Sequence, residues 1–440
     1  MRDQVIALSF ALVGAIVLAV ASRAAGQRSE RTLVWLSFVA HLAAAQAQIW
    51  VTRDVLGGGD MLLYHHLGRA VANAVRYGSD GTLIEVVKLL FQQEAWIPVH
   101  VIGAGRSSGT MIALVALLSL LTDDSLPAAC TVIAVFSFFG KWVMYLALRR
   151  SLHVEVHRRL LIACMLIPSV VFWSSGLLKE AVAMAGFGWV LLGTQHLLAK
   201  QFVRGAICAA LGGLPVALSK PYVLVVFALA AAVWYYANRA RHSPAASILS
   251  YPWRIAVGLG FAIGALIALG QLFPRYAVDT IGEQIAMQQQ AFQHNVGGST
   301  YVLGDPTQTT ALGQLVFVPE ALVAAFFRPF LFEANSPQIL VNALETTVLS
   351  FILVRVVWKK RFAWVWGHLR ASPVLMFFLA FSVIFGVAVG LSTANLGSLS
   401  RYRVPLVPFF AGIILILDTV ATRQSQANSP GNGSVKNRLA

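Results

Sequence analysis

The stretch "GGGDMLLYHHLGRAVANAVRYG", residues 57 to 78, places a carboxylate, a phenol and two imidazoles within two helical turns. Three glycines free the backbone for a tight turn. Leu63, Leu67, Ala70, Ala74 and Tyr77 then recur at the spacing of an amphipathic helix on the membrane surface. Asp60 either caps that helix or aims its carboxylate into a cavity, with Tyr64 one turn away. Asp60 with His65 and His66 also offers ligands to a divalent cation, although adjacent histidines point to different helix faces. In "PSVVFWSSGLLKEA", residues 168 to 181, a hydrophobic run ends in two serines and a glycine before the opposite charges Lys179 and Glu180. Such a pair either snorkels at a helix end or belongs to a polar site.

A third group is cationic: Lys220 in "LSKPYV", Arg328 in "FFRPFLFEAN", and Arg401 and Arg403 flanking Tyr402 in "SLSRYRVPLVP". Arginine makes bidentate contacts to phosphate oxygens and lysine acts as a point charge, so this group suits a lipid phosphate, whether of a substrate or of an ordinary headgroup.

The elements that must position these residues are membrane helices. The chain has 440 residues, 58% of them hydrophobic and 12% charged, with a mean hydropathy of +0.72, far from the composition of a soluble domain. Its apolar runs are long enough to cross about 30 Å of hydrocarbon. The expected fold class is all-α: a polytopic transmembrane helical bundle of about 11 to 13 spans. Eleven are read near 4 to 22, 33 to 51, 128 to 148, 159 to 175, 181 to 199, 205 to 219, 221 to 237, 255 to 273, 338 to 357, 373 to 392 and 404 to 420. The apolar stretches 107 to 123 and 313 to 332 are read as re-entrant or membrane-lying.

Six basic segments fix the expected orientation: 23 to 31, 149 to 159, 200 to 204, 239 to 254, 359 to 370 and 423 to 438. They hold nineteen of the 33 Lys and Arg residues, with Glu30 and Glu155 as their acids, so they belong on the cytoplasmic side. One membrane domain, 1 to 420, then carries two external segments, 52 to 127 and 274 to 337, ahead of a disordered cytoplasmic tail, 421 to 440. The candidate residues fall on the external side of a plasma (inner) membrane. The net charge of +15 is dispersed between spans, which argues for membrane orientation and against a nucleic-acid partner. Cys130, Cys164 and Cys208 lie in apolar runs and show neither a disulfide framework nor zinc spacing.

Taken together, "GDMLLYHHLGRAV", "PSVVFWSSGLLKE", "LSKPYVL" and "SRYRVPLVP" resemble short motifs of GT-C-type integral membrane glycosyltransferases, the protein O-mannosyltransferases and lipid A aminoarabinose transferases among them. The resemblance spans roughly residues 57 to 410. It departs from the family in having two spans before the acidic loop, a lone Asp60 where many members pair two acids, and no large soluble C-terminal domain. It implies an inverting transfer of a sugar from a polyprenyl-phosphate donor, with Asp60 as general base and Glu180 orienting or assisting. Lys179, Arg401 and Arg403 would hold the phosphate. Two other classes need many spans as well. A polymerase or assembly factor for lipid-diphosphate-linked glycans relies on arginines in two external loops and does not require an early carboxylate. A flippase or transporter calls for internal repeats and ionisable groups near the midplane, for which Lys141, Glu345 and Lys220 are the candidates.

Overall fold

A computed structural model describes residues 1–23, 28–78, 81–242, 287, 300–301 and 310–427. Among these residues the fold is helical, and the β-type pairing is an isolated bridge between Thr300 and Asn395. Among the described residues, nine helices are long and apolar enough to cross a membrane: α1 (Arg2–Ser22), α2 (Arg28–Trp50, continued by a π turn to Val55), α6 (Leu126–Arg149), α9 (Lys179–Leu198), α10 (Phe202–Ser219), α11 (Pro221–His242), α14 (Pro337–Ala371), α15 (Pro373–Ser392) and α17 (Val407–Ala427). The chain is therefore a multi-pass membrane protein, and these nine coincide with nine of the eleven expected spans. The span expected near 255 to 273 lies outside the described residues, as does most of the loop at 274 to 312. The segment 52 to 127, expected to be external, carries α3 (Asp60–Tyr77), α4 (Thr82–Leu90) and the apolar α5 (Ser107–Thr122). The stretch 313 to 332 holds the end of α12 (Ala311–Leu315) and α13 (Val318–Phe327). The C-terminal helix runs through Ala427, beyond the expected start of a disordered tail at 421, and 428 to 440 lie outside the described residues.

The expected span near 159 to 175 requires correction, because it is two helices, α7 (His157–Met165) and α8 (Pro168–Trp173). Pro168 has no amide hydrogen and holds Ile167 extended, so the helical ladder stops there. The freed backbone is taken up by other helices: Ser37 Oγ donates to Met165 O at 2.8 Å, and Gln48 Nε2 to Phe172 O at 3.2 Å. The Ser169 amide and hydroxyl donate to the Glu345 carboxylate at 2.8 and 2.7 Å. Lys141, fully buried on α6, donates to Ser174 Oγ just after α8. Broken backbone survives at membrane depth only where partners of this kind are built in.

Between the long helices, small residues permit close approach, which is what drives association in lipid. A Cβ on Gly188 would lie 1.8 Å from Gly140 O, and one on Gly212 would lie 2.4 Å from Gly186 O, so α6, α9 and α10 form a tight three-helix layer. The second half of the chain packs on that layer through aromatic rings, with Phe381 against Phe409 at 4.8 Å and against Phe187 at 5.4 Å.

Polar contacts gather at the two ends of these helices. At one end the basic connections meet: Glu30 accepts from Arg149 at 3.0 Å and from Tyr145 at 2.8 Å, Arg423 pairs with Glu155, and Trp364 donates to Gln424 at 3.1 Å. At the opposite end lie the starts of α3, α9, α11 and α17 and the short α16 (Leu396–Tyr402).

Candidate functional site

Four chain segments far apart in sequence converge at that second end. Gly57 and Gly59, at φ +67° and +139°, turn the chain after α2 in conformations that L side chains rarely adopt, and so fix where α3 begins. Gly59 is the helix cap and Asp60 the first helical residue, with no capping bond from a side chain. The capping role read as one alternative for Asp60 is thereby overturned. Its carboxylate turns instead to Arg401, with Oδ2 2.7 Å from Nη1.

Arg401 stands in α16, whose start is fixed by Asn395 Oδ1 accepting from the amides of Gly397 and Ser398 at 3.0 and 3.1 Å. Its Nε lies 3.0 Å from Glu180 Oε1, and the same oxygen lies 2.7 Å from Lys220 Nζ. Lys220 sits between α10 and α11, held out of helical geometry by the following Pro221. The result is an alternating line, Asp60, Arg401, Glu180, Lys220, whose far end is covered by Tyr402, with Lys220 Nζ 4.7 Å from the ring centre. Lys179 joins from the side: it donates to Ser108 Oγ at 2.9 Å and lies 6.0 Å from the Tyr64 ring centre. Two carboxylates against three cations leave an excess of one positive charge.

The line grades from wet to dry. The Asp60 side chain is 44% exposed, Arg401 16%, Lys220 5% and Glu180 0%. Burial by itself would lower the Lys220 amine, but the Glu180 carboxylate beside it outweighs that and holds it above the usual lysine range. Arg401 is likewise held charged against its burial, by Glu180 and then Asp60. Burial, reinforced by the charge of Asp60, pushes the Tyr64 phenol up to about 12, and burial raises Tyr402 as well, so both rings stay neutral donors. Glu180, sealed between two cations, is placed to orient them. The open carboxylate is Asp60.

Seven of the residues singled out in the sequence thus meet: Asp60, Tyr64, Lys179, Glu180, Lys220, Arg401 and Tyr402. Three do not. His65 Nε2 bonds to Asp124 O at 3.1 Å, beside the Arg76 to Asp124 pair, and burial lowers its pKa. Arg328 pairs with Glu333 at 2.8 Å and stacks on Tyr301 at 4.4 Å. Arg403, expected beside Arg401 on a lipid phosphate, is 1% exposed and donates Nη1 to Arg328 O at 2.5 Å. That expectation is corrected: α16 sends residues two apart to different sides, one to the cluster and the other into the protein. Ser108, the partner of Lys179, lies in the polar stretch "GRSSGT", where a serine carries no signal of its own, and Glu345, an ionisable candidate for the midplane, accepts from the Ser169 amide and hydroxyl.

Among the described residues, no group of three His, Cys, Asp or Glu side chains converges to hold a metal ion, and the group facing Asp60 Oδ2 is a guanidinium. A separate apolar groove of about 570 Å³ opens between α2, α8 and α14, walled by Ala40, Ala43, Ala44, Ala47, Trp50 and Trp173. No family model matches this chain, and neither does any curated protein or solved structure.

Proposed function

We propose that this protein is a GT-C-like membrane glycosyltransferase that moves a sugar from a polyprenyl-phosphate donor to an acceptor hydroxyl at the extracytoplasmic face, in the assembly of cell-envelope glycans or glycoconjugates. The observation that carries the reading is the convergence of Asp60, Glu180, Lys220 and Arg401, each from a different motif of the resemblance, into one cluster with a single open carboxylate and surplus positive charge. The expected sidedness rests on the basic connections: Lys and Arg-rich segments favour the cytoplasmic side, and the cluster lies at the opposite ends of the helices that these connections join.

In this reading the donor phosphate sits against Arg401, Lys220 and Lys179. Asp60 accepts the proton of the acceptor hydroxyl. The acceptor oxygen forms a bond to the anomeric carbon as the bond from that carbon to the phosphate oxygen breaks. The electron pair leaves with polyprenyl phosphate, and the configuration inverts. The cations offset the charge that grows on the leaving phosphate in a site largely screened from water.

The test is Asp60→Asn, assayed by sugar transfer at saturating donor. Loss of a general base lowers kcat by about 100 to 10,000-fold. Retention of near-normal kcat would leave Asp60 as no more than a counter-ion for Arg401 and would end the proposal.

A further inference from the structure

Helix α14 is 35 residues long, well beyond the roughly 20 that cross a bilayer, and its surplus lies at the basic end of the bundle. Arg361, at φ +66° and ψ 156°, breaks its helical geometry there, so 362 to 371 form a separate half-helix. One face of that half packs on the protein: Val365 and Leu369 are buried, Trp364 donates to Gln424 at 3.1 Å, and the His368 ring lies 3.9 Å from that of Trp364. The other face stands open. Phe362 is 69% exposed and Trp366, four residues on, 39%, while Trp358 just before the break is 84% exposed. Lys359, Lys360 and Arg361 lie between these rings.

We infer that this half-helix is an interfacial anchor that binds the anionic lipid surface at the basic end of the bundle. Two observations select lipid over another occupant. Trp358, ahead of the break, shares a helix face with Phe351 and Val354, which are 67% and 57% exposed, so one apolar surface runs along the spanning half up to the run of cations. Aromatic rings alternating with a run of three cations match the two layers of an anionic leaflet, acyl boundary and phosphate. Each cation near such a surface strengthens association by about fivefold, so the three together favour the docked state by on the order of a hundredfold.

The test uses the full chain in nanodiscs, with a nitroxide on Ala363→Cys in a Cys208→Ser background, and compares phosphatidylcholine with and without phosphatidylglycerol. Ala363 is exposed beside Phe362, and Cys130 and Cys164 are buried and unlabelled. Phosphatidylglycerol should shield the label from a soluble nickel chelate and open it to oxygen. K359Q/K360Q, which spares the break at Arg361, should weaken that response by about thirtyfold. Equal immersion in both lipids, or a label as open to nickel as one on Gln426, overturns the inference. Spin broadening between labels would put a second copy of the chain on this face and overturn it as well.

Discussion

Replacing Glu180 with Gln removes the one buried anion that separates two buried cations. Its Oε1 lies 2.7 Å from Lys220 Nζ and 3.0 Å from Arg401 Nε, and the residue has no exposed surface. With an effective dielectric of about 20, each pair attracts by about 6 kcal/mol before desolvation is counted. What remains when one partner is deleted from a buried network is a cost of about 3 to 5 kcal/mol, because the surviving charges keep their burial and lose their compensation. Arg401 retains Asp60 at 2.7 Å, so the larger burden falls on Lys220, whose other close neighbours are aromatic rings. Unfolding in mixed detergent micelles by added SDS, measured for E180Q, K220M and the double variant, isolates the pair. The double variant should be more stable than the sum of the singles implies, by about 2 kcal/mol, since two matched neutral groups replace a broken pair. Additivity within about 0.5 kcal/mol would show that Glu180 and Lys220 do not interact and would remove the electrostatic argument for the cluster.

The same pair sets a pH dependence. The folded Lys220 pKa lies above its ordinary 10.5, so the stability it contributes is fully present below that value and declines as pH rises above it. A difference between wild type and K220M that already shrinks near neutral pH would contradict this. Arg401→Lys loses the planar fork on the proposed phosphate and should weaken donor use by about ten- to a hundredfold. Arg403→Lys, at a buried site bonded to backbone carbonyls, should leave the donor KM near wild type and lower stability by about 1 to 3 kcal/mol, and donor titrations with SDS unfolding distinguish the two. For sidedness, an impermeant thiol reagent on intact cells should label Trp96→Cys, where the native ring is 91% exposed, and should reach Lys359→Cys only after permeabilisation. The reverse pattern would invert the topology.

What could be read in the sequence divides along physical lines. Long apolar runs between basic connections dictate helices that cross a membrane, and nine of them stand where hydropathy and charge put them. Asp60, Glu180, Lys220 and Arg401 were legible because each is an ionisable residue at the edge of an apolar run, where charge needs a reason. Their mutual geometry was not, since nothing local says that residue 401 meets residue 60. Arg403 is not legible as a separate residue, because a separation of two in sequence looks like one location, whereas about half a helical turn puts the two arginines on different sides. The break at Pro168 was visible as a proline, yet proline also occurs in kinked single spans. Only the distant Ser37, Gln48, Lys141 and Glu345 show that here the helix truly ends.

That break bears on how the chain is assembled. The carbonyl of Met165 and the amide of Ser169 lack helical partners within their own segment, so the stretch from α7 to α8 cannot enter lipid as a self-sufficient rod. Ser37 and Gln48 have already been synthesised when this stretch leaves the ribosome, but Glu345 follows Ser169 by 176 residues. Through all of that translation the amide end of α8 must wait in the insertion machinery or against water, and the last third of the protein is what releases it. A chain truncated before α14 would therefore leave the Ser169 amide and hydroxyl without the carboxylate that takes them up in the complete fold.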